Sequence, residues 1–596
     1  MGHFKINSRD ILFILKEQLD YGALCDLEKY SDLDEKTLDM LVNEAVTFAK
    51  GVIDPLQDLG EREGVTFENG HVYCPEAFRR AFEKYGRDGW TAVARDLTYG
   101  GGGFPTMMRI VVNDIMYGAC QAFNMAPSLT HGAAHLIESF ATDDLKKTFV
   151  PRMYDGTWSG TMALTEPDAG SNLAGIQTLA VPQGNSRFKI KGTKIFISWG
   201  DHDLTENIVH LVLARIEGAP EGVKGISLFI VPKHKVNPDG SIGKPNDVLC
   251  GGVEKKLGLH GSPTCVLNFG TADNCEAWLC GEENRGLAHM FQMMNQARIN
   301  TGVSGMAIAA AAYQNALAYS KERVQGRDIA GRKKDGVPII DHPDVRRMLL
   351  WMKAVTDGMR SLTYTAAFWA DLADYHPDQV RREHYRNLVE FSTPIVKAYC
   401  SEKGFRVCET AMQCLGGYGY SREYPIEQYL RDVKVLSLYE GTNGIQSLDL
   451  MGRKMTMKDG SLLAAFRGEI VRFCRNNTGH RILQDRIHAL EQAVDRICGM
   501  AEKMRDLQQT DPLQWASYTY PALMCLGETA IVWRLLDMAV AALKNIDEGR
   551  GPEDFYKGKI LQATWYADTV LPLCVTEMGS CLREGREIVD MPLTAF

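Results

Sequence analysis

Lys194-Ile195-Phe196-Ile197-Ser198, then Ile208-Val209-His210-Leu211-Val212-Leu213-Ala214-Arg215-Ile216, then Gly225-Ile226-Ser227-Leu228-Phe229-Ile230-Val231, is where the reading of this chain is decided. The runs are short, β-branched and aromatic, and Gly, Pro, Asn and Asp separate them, which is the chemistry of strands and turns. Phe188 to Ile190 and Thr264 to Phe269 repeat the pattern, so residues 159–282 read as an all-β unit. Outward on both sides the period changes to that of helices. Upstream, Leu12, Ile14, Leu15 and Leu19, then Leu38, Leu41, Val42, Ala45, Val46 and Phe48, recur at helical spacing. Downstream, Met290, Met293, Met294, Ala297, Val303 and Met306 form an apolar stripe that reads mainly as core. Helical spacing returns once more around Leu523 to Leu543. The expected fold is α+β and multidomain: an N-terminal helical domain (1–158), a middle β-barrel or sandwich domain (159–282), a C-terminal helical bundle (283–455) and an additional helical domain (456–596).

At 596 residues the chain is too long for a single core. Its net charge of -9 argues against a general affinity for nucleic acid or anionic membrane. Residues 456–596 carry 16 basic against 19 acidic side chains, so they show no nucleic-acid footprint either. No run approaches the roughly 18 apolar residues that cross a bilayer, and the first residues lack a signal-type apolar core. The fifteen cysteines include no C-x-x-C pair, which reads as reduced thiols in a cytoplasmic protein without a metal site. The glycine run Gly100 to Gly103 is not followed by Gly-Lys-Ser/Thr, so it is a connector and not a P-loop.

Four stretches carry candidate chemistry. Leu164-Thr-Glu-Pro-Asp-Ala-Gly-Ser171 is rich in turn residues and hydroxyls, and reads either as a plain connecting loop or as a cofactor loop. Asn295 and Arg298 lie three apart on one helix face. Gln413-Cys-Leu-Gly-Gly-Tyr-Gly419 offers closely spaced amides that could meet an anion. Last is Ser437-Leu-Tyr-Glu440-Gly-Thr-Asn-Gly-Ile-Gln446, a single carboxylate between an apolar run and a glycine turn. A Glu followed by Gly and Thr is ordinarily a solvated turn or cap residue. Buried beside Val433, Val435, Leu436, Leu438 and Tyr439, it would instead have its pKa moved towards neutrality, as a general base requires.

In order, Leu164–Ser171, Gly192-Thr-Lys-Ile-Phe-Ile-Ser198, Lys256-Leu-Gly-Leu-His-Gly-Ser262, Arg298, Gln413–Gly419, Tyr424-Pro-Ile-Glu427 and Tyr439-Glu-Gly-Thr442 resemble the acyl-CoA dehydrogenase family from about residue 40 to 455. The long C-terminal extension and the stretch Gly200 to Arg215 narrow the match to a large bacterial branch. That branch takes in 3-methylmercaptopropionyl-CoA dehydrogenase as well as enzymes for ordinary fatty acyl-CoAs. The resemblance implies a helical domain, a β domain and a four-helix bundle. It also implies FAD-dependent α,β-dehydrogenation of an acyl-CoA to the trans-2-enoyl-CoA, as in fatty acid β-oxidation.

By the same resemblance Glu440 takes the α-proton and its backbone N–H helps to hold the thioester oxygen. Met162, Leu164, Thr165, Gly170, Ser171, Phe196 and Ser198 bind the FAD. Arg323, Gln413, Gly416 and Gly417 reach the FAD of a neighbouring subunit, and Thr442 contacts FAD too. Ser171, Asn295, Arg298, Tyr439 and Gly441 meet the substrate. Some members keep their base just before the Arg; here that position is Ala297, which cannot take a proton. Two departures stand out: Phe196 replaces the usual Trp, and Asn295 replaces a common acidic residue. The implied partners are an electron-transfer flavoprotein and a second copy of the chain, a homodimer. Two rivals remain at this stage. One is an acyl-CoA oxidase, which rapid peroxide release would reveal. The other is a DNA-associated flavoprotein of the same fold, against which the near-neutral C-terminal region and the retained Glu440 argue.

Overall fold

The computed structural model describes residues 3–184, 186–583 and 585–596. Chain contacts divide it into two units, residues 42–297 and residues 3–41 with 298–596. The first contains the helices Pro55–Glu63, Glu76–Arg87, Thr106–Ala119, Gln121–Phe140 and Asp143–Tyr154, followed by an eight-stranded sheet. One element departs from the helical reading of this region, a hairpin pairing Thr66–Glu68 with His71–Tyr73. Asn69 and Gly70 form its turn, both at positive φ (52° and 81°), the pairing that a two-residue hairpin turn selects.

Five strands of the sheet close on themselves. Asn207–Ile216 pairs with Ile226–Pro232, which pairs with Glu276–Leu279, which pairs with Arg187–Ser198. Leu179–Gly184 then bonds to both Arg187–Ser198 and Asn207–Ile216, completing the ring. Ring closure leaves these strands no free edge. The second half of the twelve-residue strand Arg187–Ser198 leaves the ring to pair with Thr264–Phe269, and Trp158–Ala163 runs parallel to Asn207–Ile216 on the other side.

Strand Asn207–Ile216 explains why its sequence is nearly continuous in apolar residues: both of its faces are covered. Val209, Leu211 and Leu213 pack with Ala133, Leu136, Ile137, Phe149 and Trp158 on the helical side. Val212 and Ala214 point the other way, to Phe188, Ile190, Phe229, Leu267 and Phe269. Met290 and Met293 are buried in the helix-side core, as a methionine stripe ordinarily is.

The second unit is built on long helices: the residues from 298 onward of Gly286–Glu322, then Pro343–Tyr375, Gln379–Leu415 and Pro512–Asp547. Helices Gly286–Glu322 and Gln379–Leu415 approach closely because both present glycine. A Cβ at Gly302 would lie 2.7 Å from the Val396 carbonyl oxygen, and one at Gly404 would lie 2.6 Å from the Gly305 carbonyl oxygen. Residues beyond 456 pack into the same unit. Trp533 stacks on Trp369 with ring centroids 6.2 Å apart, and Arg534 Nε donates to Ser361 Oγ at 3.0 Å. No helix among the described residues is long and apolar enough to cross a membrane.

Candidate active site

Helix Ile426–Lys434 and one 3-10 turn, Val435–Ser437, deliver the chain to Glu440. Glu440 sits at φ 57°, a left-handed conformation that costs a non-glycine residue energy and is characteristic of functional sites. Gly441 follows at φ 79°, and Thr442 then caps helix Asn443–Leu448 by accepting from the Ile445 N–H at 3.1 Å. The Gln446 side chain donates back to the Glu440 carbonyl at 3.2 Å, which ties the turn to the helix it starts. The Glu440 N–H donates to no acceptor among the described residues, so it is available to a ligand oxygen.

Three charges from distant sequence positions converge on this turn. Burial pushes the Glu440 carboxyl up to about 7, against the opposing pull of Arg298 and Lys397. Arg298 is buried and lies 3.9 Å from Asp449. Burial lowers the Arg298 pKa, while Asp449 and Glu440 favour its charge. Lys397, in the middle of helix Gln379–Leu415, has no exposed surface. Its Nζ donates to Asn443 Oδ1 at 3.0 Å, and burial brings it down to about 7 with Glu440 acting against the shift. A half-buried carboxylate that titrates near neutrality beside two cations can remove a proton from a weak carbon acid and keep it.

The first unit gathers a second group of the expected residues. Strand Arg187–Ser198 bulges against Thr264–Phe269: Lys194 pairs with Leu267 and Ile197 with Cys265, leaving Ile195 and Phe196 opposite Val266 alone. The bulge puts Phe196 at φ 58° and leaves the ring 59% exposed, an aromatic plate aimed outward from a rigid strand. Beside it the Ile195 N–H donates to the Thr165 carbonyl at 2.9 Å. Buried Lys194 donates to the Leu164 carbonyl at 2.9 Å and to Glu166 at 2.7 Å. Glu166 also accepts from the Gln177 N–H and from the Thr178 N–H and hydroxyl. Leu164, Thr165, Phe196 and Ser198 are therefore presented together, with Met162 on the adjoining strand. Gly170 and Ser171 lie exposed farther along the loop.

Arg323, Gln413, Gly416 and Gly417 share a cleft of about 780 Å³ with Tyr319, His342 and Tyr418. Gly416 ends helix Gln379–Leu415 at φ 60°, a left-handed C-terminal cap that turns the next amides out of the helix. In the first unit, an exposed aromatic plate with a loop held against it fits a flat ring such as that of FAD; in the second, the glycine turn beside Arg323 offers amides to an anion. Of the other expected residues, Asn295 is half-buried one helical turn before Arg298, Tyr439 and Gly441 flank Glu440, and Thr442 spends an oxygen lone pair on its cap. The sequence by itself does not single out Lys397 or the Lys194–Glu166 pair. The available signal for Lys397 was a lone cation in the run Pro394-Ile-Val-Lys-Ala-Tyr399.

Models of the acyl-CoA dehydrogenase N-terminal domain, middle domain and C-terminal domain match residues 35–157, 161–272 and 284–455. A model described as acetyl-CoA dehydrogenase C-terminal like matches residues 466–592. The chain is 38% identical to the 3-methylmercaptopropionyl-CoA dehydrogenase of Ruegeria pomeroyi, over 98% of this chain and 99% of that one. It is 34% identical to the broad-specificity linear acyl-CoA dehydrogenase FadE5 of Mycobacterium tuberculosis, over the whole of both chains. Among solved structures, the Bacillus anthracis acyl-CoA dehydrogenase complexed with FAD superposes with a TM-score of 0.73 at 20% identity, covering 95% of this chain and 92% of that one.

Proposed function

The chain belongs to the acyl-CoA dehydrogenase family and is an oxidoreductase of that kind, and from that premise we propose that it converts a saturated acyl-CoA to the trans-2-enoyl-CoA with Glu440 as the base. The observation that carries the reading is the Glu440 carboxyl, raised to about 7 in a left-handed turn whose own N–H is unspent. The α-proton of a thioester is weakly acidic, so its removal needs a base near neutral pKa and stabilisation of the negative charge that develops on the thioester oxygen. The Glu440 carboxylate takes the α-proton. The Glu440 N–H donates to the thioester oxygen, and Arg298 and Lys397 offset charge on the turn.

The family's cofactor is FAD, which when bound accepts the hydrogen leaving Cβ as hydride and later passes the electrons on, here to an electron-transfer flavoprotein. Leu164, Thr165, Phe196 and Ser198 would hold its ring system, with Met162, Gly170, Ser171 and Thr442 as further contacts. Arg323, Gln413, Gly416 and Gly417 would hold the FAD of a second copy. The substrate class we propose is fatty acyl-CoA, with the methylthio-substituted propionyl thioester as the specific alternative, since the 38%-identical relative carries that name.

Glu440→Gln keeps the shape and removes the base. Mixing it anaerobically with acyl-CoAs from short to long, and with the methylthio analogue, should bleach the flavin on the order of 10³-fold more slowly than wild type while FAD stays bound. Flavin reduction at the wild-type rate would overturn the base assignment. The wild-type panel, run with an artificial electron acceptor, ranks the substrates.

A further inference from the structure

We propose that Lys397 is a positioning residue for Glu440: its buried ammonium anchors the catalytic turn through Asn443 and is the counter-charge that keeps the carboxylate ionised. The proposal rests on the assignment of Glu440 as base. Lys397 lies on helix Gln379–Leu415 and is wholly shielded from solvent. A lysine in that position carries a large desolvation cost unless it meets charge and hydrogen-bond acceptors.

Its partner is Asn443, the first residue of the short helix that begins three residues after Glu440. Asn443 Oδ1 accepts both from Lys397 Nζ at 3.0 Å and from Ser401 Oγ at 3.1 Å, one helical turn farther along. Asn443 Nδ2 donates to the Ala398 carbonyl at 3.4 Å. Residues 397, 398 and 401 thus form a seat for one side chain of the turn. The seat is rigid because Val396 and Cys400, next to it, pack against Gly302 and Gly305 of the helix that carries Arg298.

The groups facing Lys397 are asymmetric. Glu440 is the anion on the turn, and Arg298 is the nearby cation. Arg298 has Asp449 as its own acidic neighbour at 3.9 Å, and Arg453 takes the other Asp449 oxygen at 2.7 Å. Lys454, beyond it, donates to the Glu390 carbonyl. Among the described residues no carboxylate is hydrogen-bonded to Lys397, whose bond goes to Asn443, so Glu440 is the anion its charge is left to serve. Lys397 itself is brought down to about 7, so its charge acts on Glu440 at and below neutrality, and removing it should raise the pH at which Glu440 ionises.

The test is the pH dependence of anaerobic flavin reduction by the best acyl-CoA of the panel, in the holoenzyme. The rate rises with pH as Glu440 loses its proton. In Lys397→Met and Lys397→Gln the midpoint of that rise should move up by about one pH unit, a loss of about tenfold below the midpoint and near-full recovery well above it. Lys397→Gln retains an amide that can reach Asn443, which separates the charge from the anchor. Lys397→Arg, which keeps the charge, should leave the midpoint near that of wild type. Asn443→Ala should lower the rate at every pH without moving the midpoint.

A wild-type midpoint in both neutral variants overturns the proposal, as does an equal loss at all pH values in every Lys397 variant. Failure of all three Lys397 variants to retain FAD would assign the residue to folding and overturn it too. Glu440→Gln is the control. If that variant still reduces its flavin, the base assignment itself fails. If it is inactive while the Lys397 midpoints stay put, the failure belongs to Lys397 alone.

Discussion

Because burial raises the Glu440 carboxyl from 4.5 to about 7, the folded chain binds that proton more tightly than the unfolded chain does. The sign follows: this group favours folding below pH 4.5, and the contribution is lost as pH rises through 7. Above that, the ionised carboxylate costs up to about 3 kcal/mol. Glu440→Gln should therefore stabilise the apoprotein by about 1–3 kcal/mol at pH 8, and by nothing measurable well below pH 4.5. Urea denaturation of both proteins at the two pH values reads this directly, and an equal gain at both would contradict it. By local chemistry Glu440 reads as an ordinary turn residue, and only the ordered set of family motifs around it marks it as the candidate base. Lys397 was not legible, because nothing local distinguishes a lysine on a buried helix face from one that reaches solvent. Its burial is decided by Gly302 and Gly305, about ninety-five residues earlier in the chain.

Among the elements, strand Arg187–Ser198 does two things at once. Its first half closes the β ring and its second half bulges to present Phe196. The strand was readable from alternation. The bulge was not, since the extra residue is defined only against its partner strand. The cofactor loop depends on the same strand through the buried Lys194–Glu166 pair. Glu166 favours the Lys194 charge, yet burial still draws that lysine down to about 8. Lys194→Met should strand the Glu166 charge among its remaining donors, costing about 3 kcal/mol, and free the Leu164 carbonyl. The expected outcome is FAD affinity weaker by about tenfold or more, measured by flavin fluorescence on reconstitution. Glu166→Gln added to it should recover part of the loss. Unchanged affinity in Lys194→Met would show that the pair does not hold the loop. The hairpin Thr66–Glu68 with His71–Tyr73 lies outside the helical reading of this region: Asn69-Gly70 is a turn pair, but three-residue strands are too short for periodicity to reveal.

At the scale of the whole molecule, charge pairing welds the extension into its unit. Lys559 is buried and lies 2.7 Å from Asp10 and 2.6 Å from Asp357, and Lys353 meets the same two carboxylates at 2.9 and 2.8 Å. Two acids and two bases balance, and Gln562 donates to Asp357 as well. Burial by itself would raise the Asp10 and Asp357 pKa values, but the lysines hold both below the ordinary carboxylate range. Lys559→Met should lower unfolding stability by about 3–5 kcal/mol, because it leaves two buried carboxylates with one ammonium between them. Denaturant melts at pH 7 measure the loss, and a change under about 1 kcal/mol would show that Lys353 alone satisfies the cluster.

By itself, the amino-acid sequence determined the order of helical and β segments, through hydrophobic periods of 3.6 and 2. It also determined where the glycine turns fall and, through the ordered family motifs, which carboxylate is the candidate base. Tertiary structure alone decided the electrostatics of that base. Glu440, Arg298, Lys397 and Asp449 belong to four separate elements, and a pKa reports the desolvation and charge that such elements supply only when packed together.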